Sequence, residues 1–122
     1  VCINVWRELL TDIKSASLFV LSSDFEGVPN VLIESMSIGI PVVSTDCRPG
    51  GAASLIENYK NGILVPVNDC KALSNAMTYM IEHPDEAKKM GLMGCEIKKE
   101  LDSQKIAAKW LNYLISVQKS VL

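Results

Sequence analysis

Ser22-Ser23-Asp24-Phe25-Glu26-Gly27-Val28-Pro29-Asn30-Val31-Leu32-Ile33-Glu34 is the stretch that decides the fold. Immediately before it, Leu18-Phe19-Val20-Leu21 is a compact apolar run rich in strand formers, which reads as a strand buried on both faces, as in a parallel sheet. After it, Asn30 to Ile38 carries apolar residues at Val31, Leu32, Met36 and Ile38 and reads as a helix. The quoted segment is therefore a strand end, a loop and a helix start. In open α/β sheets that junction is where ligands bind.

Working outward, Gly39 stands where a helix stops and Pro41 follows it, the usual order of a capping glycine and a later proline. Pro41 to Ser44 reads as a second strand, Ala52 to Glu57 as a short helix, and Gly62 to Val65 as a third strand. Asp69 to Glu82 places Leu73, Ala76, Met77 and Met80 on one helical face. Pro84-Asp85-Glu86 opens another helix, with proline at its first position and acids in its first turn, and Gly91 and Gly94 weaken its middle. Asp102 or Ser103 caps a last helix whose stripe of Ile106, Ala107, Trp110, Leu111, Leu114 and Val117 reads as core. Val1 to Asn4 reads as the tail of an earlier strand. Strands alternating with helices predict a parallel α/β sheet. Three clear strands are few for a doubly wound domain, so the sheet looks halved.

The chain has 122 residues, enough for a single domain over residues 1–122, and is 48% hydrophobic and 21% charged, ordinary for a globular chain. Twelve basic and 14 acidic groups give a net charge of −2, which offers no electrostatic reason for a nucleic-acid partner. No apolar run approaches the roughly 20 residues that span a bilayer, so no transmembrane segment is expected. Nor does the start carry the pattern of a signal peptide, and Val1 in place of Met suggests a trimmed piece. The cysteines at positions 2, 47, 70 and 95 form no C-x-x-C pair, and His83 is the one histidine, so a zinc site is not indicated. Such a set suits reduced thiols and a cytoplasmic setting.

The chemistry concentrates on two carboxylates. Glu26 lies in the loop, and Glu34 on the second helical turn, about 7 Å along the axis from Pro29 at 1.5 Å per residue. Between them lie the free N–H groups of a helix start, which attract a diphosphate, and Gly27, which lets a ligand approach the backbone. Pro29 is suited to preset the first helical φ. Carboxylates accept hydrogen bonds from paired hydroxyls, and a nucleotide-sugar carries hydroxyls at both ends with a diphosphate between. Two glutamates at this spacing also occur on ordinary solvated surfaces. Arg48, at the end of the second strand beside Gly50 and Gly51, reads as a solvated loop residue, Cys47 as a buried thiol, and His83 as a helix-junction residue.

The sequence Glu26-x7-Glu34, with Gly27 after the first glutamate and Ser35-Met36-Ser37 after the second, resembles the E-G-x-P-N-x-x-x-E-A-M-A signature of family 4 GT-B glycosyltransferases. Gly39-Ile40-Pro41-Val42-Val43 resembles that family's G-x-P-V-V stretch, and Asn61-Gly62-Ile63-Leu64-Val65-Pro66 its N-G-x-L-V-P stretch. The resemblance runs from about Asp12 to Leu114. It implies the second half of a GT-B C-terminal domain: a partial Rossmann-like parallel sheet with C-terminal helices. By the same resemblance Glu26, the catalytic candidate, contacts the hydroxyls of the donor sugar and Glu34 holds the ribose. The Gly27, Val28, Pro29, Asn30 and Val31 backbone then faces sugar and diphosphate, and Leu32 lies close to the nucleoside.

The resemblance further implies retaining transfer of a hexosyl or N-acetylhexosaminyl group to a polysaccharide or glycolipid. The substrate is a nucleotide-sugar, with a UDP-sugar the family analogy, and no metal or other cofactor is needed. It implies an N-terminal acceptor domain as partner, inactivity of the chain by itself, and peripheral membrane association of the full-length enzyme. In that family the final helix packs back toward the N-terminal domain. One departure stands out: where the family has glutamate in G-x-x-E-L-I, Gly51-Ala52-Ala53-Ser54-Leu55-Ile56 has Ser54. This leaves open a non-catalytic α/β module that binds a nucleotide or a partner. A sugar-nucleotide epimerase fits the glycine and proline context of Glu26 less well. An unpaired Leu18–Leu21 edge also suggests self-association.

Overall fold

The computed structural model describes residues 13–121. The expected strand at Val1 to Asn4, and Cys2, lie outside them. A sheet of parallel strands in the order β1-β2-β3 forms the centre. These are β1 (Phe19–Leu21), β2 (Val42–Thr45) and β3 (Ile63–Val65). Phe19 pairs with Val42, so β1 and β2 start level and β1 stops opposite Ser44, while Thr45 pairs with Val65, so β2 and β3 end level. Between them run α1 (Asn30–Ser37) and α2 (Gly51–Leu55), followed by α3 (Cys70–Glu82), α4 (Pro84–Gly94), α5 (Ile97–Glu100) and α6 (Ser103–Val121).

Alternation along the strands divides the core. Val42 faces one side with Leu32, Met36, Ala52, Ile56 and Ile97, so α1, α2 and α5 cover that face. Val43 faces the other with Ile63, Val65, Ala76, Met80, Ala87 and Met90, which brings in α3 and α4. Both central valines have 0% exposure, as a strand covered on both faces requires. β1 differs from its expected full burial: its residues are only half-buried, and among the described residues it stands at an edge of the sheet.

Helix ends follow the capping signals. Gly39, at φ +87°, ends α1 with its N–H on the Met36 carbonyl, while the Ile40 N–H reaches the Ser35 carbonyl. This is the paired closure that a left-handed residue makes possible. Asp69 caps α3 through the Ala72 N–H at 2.8 Å, and Asp102 accepts from Gln104 and Lys105 at the start of α6. His83 joins α3 to α4 and stacks on Tyr79, with ring centroids 4.4 Å apart. Gly91 and Gly94 belong to the last turn of α4 rather than its middle, and both are buried. A Cβ on Gly91 would stand 2.2 Å from the Gly39 carbonyl oxygen, so glycine is what lets α4 close onto that turn.

The largest correction concerns α6. Its stripe was expected in the core, yet Trp110, Leu111 and Leu114 are 61%, 59% and 58% exposed. Of the described α6 side chains only Ile106 is even half-buried. The periodicity marked a genuine amphipathic face, but among the described residues no apolar surface lies within reach to cover it. Among them, too, no helix is long and apolar enough to cross a membrane.

Candidate functional site

The loop from Ser22 to Pro29 leaves the C-terminal end of β1 and is tied down on two sides. Thr45, the last residue of β2, donates its hydroxyl to the Ser23 carbonyl and, at 3.4 Å, to that of Leu21. Further along, the Glu26 N–H donates to the Arg48 carbonyl at 3.1 Å, and Phe25 pairs with Arg48 as a parallel bridge. The β1–α1 and β2–α2 loops therefore run side by side.

Glu26 is half-buried, and its Oε1 accepts from the Ser23 hydroxyl at 2.8 Å. One carboxylate edge is thus oriented while the other stays available. Next to it, Gly27 and Val28 are exposed, and a Cβ on Gly27 would meet nothing within 4 Å. The underside of this turn is closed instead: the Gly27 carbonyl lies directly against Gly51, the first residue of α2.

Pro29 is the N-cap of α1, at φ −74° and ψ 109°, rather than its first helical residue. Its carbonyl closes the first turn by accepting from Leu32 and Ile33. No side chain caps the helix, and its first turn holds no acid. The N–H groups of Asn30 and Val31 therefore have no partner among the described residues. The positive end of α1 is left open to an anion.

Glu34 projects from the second turn, half-buried, and its carboxylate has no hydrogen-bond or ion-pair partner among the described residues. Glu26, the uncapped turn and Glu34 thus follow one another along a single loop and helix. The Leu32 side chain is turned into the core: its exposure is 0%, and its N–H is bonded to the Pro29 carbonyl. The reason is periodic: on α1, Leu32 and Met36 face the sheet, which turns Val31 and Glu34 away from it.

Arg48 and Ser54 complete the surroundings. Arg48 is exposed, as a solvated loop residue should be, and backbone pairing holds it beside Phe25. Ser54 is exposed on α2 with its hydroxyl turned back onto the Gly51 carbonyl at 2.7 Å. Cys47 is buried, with 1% exposure. Sequence reasoning missed the supports, namely Ser23, Thr45 and Gly51: Thr45 and Gly51 act between segments more than twenty residues apart, whereas the Ser23 hydroxyl reaches Glu26 only three residues on, a local spacing that could have signalled it. A cavity of about 520 Å³ lies at the opposite end of the sheet, lined by Leu18, Pro41, Met80 and Lys88 among others, and is remote from this chemistry.

An open helix start between two carboxylates, on a three-stranded half-sheet, is the geometry with which known proteins can be compared. Residues 3–94 match the family described as glycosyl transferases group 1. The chain belongs to that family. An uncharacterized glycosyltransferase of Haemophilus influenzae is 30% identical over 101 residues, covering 83% of this chain and 28% of that protein. The lipopolysaccharide 1,6-galactosyltransferase of Escherichia coli is 41% identical over 64 residues, covering 52% of this chain and 18% of the enzyme. Among solved structures, Anabaena HepE in complex with UDP superposes with a TM-score of 0.78 at 25% identity, covering 85% of this chain and 29% of that one. The chain spans under a third of the length of these relatives. The parallel α/β fold and the glycosyltransferase family, of GT-B architecture, are as the signature implied.

Proposed function

We propose that this chain is the donor-binding part of a retaining glycosyltransferase, with a nucleotide-sugar bound along Glu26 to Glu34. The observation that carries the reading is the uncapped, acid-free start of α1, set between the partly free carboxylate of Glu26 and the unpartnered carboxylate of Glu34. Two roles follow from the chemistry. Free N–H groups and the helix dipole hold the diphosphate and stabilise the negative charge that grows on it as the bond to the sugar breaks. Glu26 and Glu34 accept hydrogen bonds from hydroxyls, Glu26 from the sugar and Glu34 from the ribose.

In the transfer, the bond from the sugar's anomeric carbon to the diphosphate breaks and an acceptor hydroxyl forms the new one. The acceptor's proton ends on the departing nucleoside diphosphate. In this reading the positive end of α1 does the anion-binding work, and no metal ion is required. Anabaena HepE was solved with UDP and with UDP-glucose, which supports a UDP-hexose donor. The Escherichia coli lipopolysaccharide galactosyltransferase supports a polysaccharide or glycolipid acceptor. An acceptor domain outside these 122 residues completes the enzyme.

A binding module without catalysis is the second reading, favoured by Ser54, whose neutral hydroxyl is spent on its own helix. Titrating the chain with UDP-, GDP- and ADP-sugars, followed by backbone amide shifts, tests the site. Shifts at Asn30 and Val31 that disappear in Glu34→Gln support donor binding. Nucleotide binding that is unchanged in both Glu26→Gln and Glu34→Gln refutes the assignment. Binding without transfer in the complete enzyme leaves the second reading.

A further inference from the structure

Phe25 and Arg48 belong to loops that follow different strands, and backbone pairing holds them side by side. The Glu26 N–H donates to the Arg48 carbonyl at 3.1 Å, which fixes the pair beside the candidate sugar contact. Partners in a parallel bridge project their side chains from the same side of the ribbon. Both are exposed, Phe25 at 73%, whereas Glu26 turns toward Ser23. Among the described residues the Phe25 ring makes no aromatic contact, and the Arg48 guanidinium has no ion-pair or hydrogen-bond partner. Arg48 is also the only basic residue between Ser22 and Leu55, a stretch with four acids, Asp24, Glu26, Glu34 and Asp46. None of them forms an ion pair with it. Over the turn that follows Glu26 the space is open: a Cβ on Gly27 would meet nothing within 4 Å.

We propose that Phe25 and Arg48 form the acceptor side of the site and select an acceptor sugar that carries an anionic group, a carboxylate or a phosphate. This rests on the donor reading above: with the donor sugar over Glu26 and Gly27, the attacking hydroxyl has to arrive across this lip. The two side chains name the acceptor. The C–H groups on one face of a pyranose carry slight positive charge and rest against the negative face of an aromatic ring. A guanidinium is a planar fork of donors that matches carboxylate or phosphate oxygens and never loses its charge. A neutral or cationic sugar would leave that charge unanswered. A ring and a cation held at fixed separation set the acceptor's orientation as well as its charge. Both residues determine specificity, and the bond-breaking step stays with the donor site.

The complete enzyme, loaded with UDP, GDP or ADP, is titrated with the p-nitrophenyl glycosides of glucose, glucuronic acid and glucose 6-phosphate, and binding is read by ligand-observed NMR. Tighter binding of one or both anionic glycosides than of the glucoside, on the order of tenfold, is the expected result. The tighter of the two names the group. Arg48→Met should remove the preference, and Arg48→Lys should keep only part of it because the fork is lost. Phe25→Ala should weaken all the glycosides on the order of tenfold. These substitutions keep the backbone pairing, and unchanged nucleotide affinity shows that the fold is intact. Equal binding of the glycosides by wild type, a preference that survives Arg48→Met, or no effect of Phe25→Ala overturns the proposal while the donor reading stands, as a mere contact with the rest of the enzyme would give. Failure of every nucleotide to bind the wild type overturns the donor reading, and this one with it.

Discussion

The carbonyl oxygen of Gly27 rests against the α-carbon of Gly51, so closely that a Cβ on residue 51 would stand 1.5 Å from it. The turn that follows Glu26 is therefore seated on the first residue of α2. Gly51→Ala must push the turn outward, since backbone rather than a flexible side chain opposes it. We expect a loss of about 1–3 kcal/mol of stability, as overpacking generally gives, together with weaker donor binding. Gly27→Ala has open space around its new methyl group and should leave stability nearly unchanged. Thermal unfolding of the two variants beside a nucleotide-sugar titration checks both.

Thr45 holds the other side of the same loop. Thr45→Val keeps the shape and removes the donor to the Ser23 carbonyl. The expected cost is about 1 kcal/mol, with greater mobility of Ser23 and hence a less oriented Glu26. Urea unfolding measures the first and amide exchange along Ser22 to Glu26 the second. Unchanged exchange would show that Arg48 alone suffices to hold the loop.

The site helix has an anchor on its far side. Gly91→Ala would place a methyl carbon 2.2 Å from the Gly39 carbonyl oxygen and separate α4 from the turn that ends α1. A drop of about 1–3 kcal/mol is expected, readable in a denaturation curve.

Tyr79 should report on high pH. Its hydroxyl bonds to the Glu86 carboxylate, which raises its pKa above the ordinary 10.0, with desolvation adding to the shift. An acid whose folded pKa is raised contributes stability below the unfolded value and loses it as pH rises through the folded one. The protein should therefore lose stability above about pH 10, and Tyr79→Phe should remove that part of the slope. Ultraviolet titration of the phenolate, compared between wild type and Glu86→Gln, locates the shift.

Most of the architecture was legible because the signals were local. Gly39 before Pro41, Asp69 before an amphipathic run, and Pro84 followed by acids each identify a helix end through one turn of backbone. Glu26 and Glu34 could be placed on loop and helix for the same reason. Burial was harder to read. Leu32 belongs to the core because the face of α1 is fixed by Met36 and the sheet, which a motif by itself does not reveal. β1 and the α6 stripe misled in the opposite direction: apolar composition measures a tendency to be covered, whereas coverage depends on what stands nearby. Gly51 looked like one of several loop glycines, and only the fold brings it under Gly27.

The seat of Gly39 against Gly91 gives α1 an end stop. A ligand that pulls on Glu34 cannot draw the helix forward without loading the joint at its rear, and through it α4 on the sheet's other face. Occupancy of the site should thus be felt as tension in a layer that no ligand touches. Amide exchange near Gly91 would then slow when the nucleotide-sugar binds, turning the quiet side of the molecule into a gauge for the busy one.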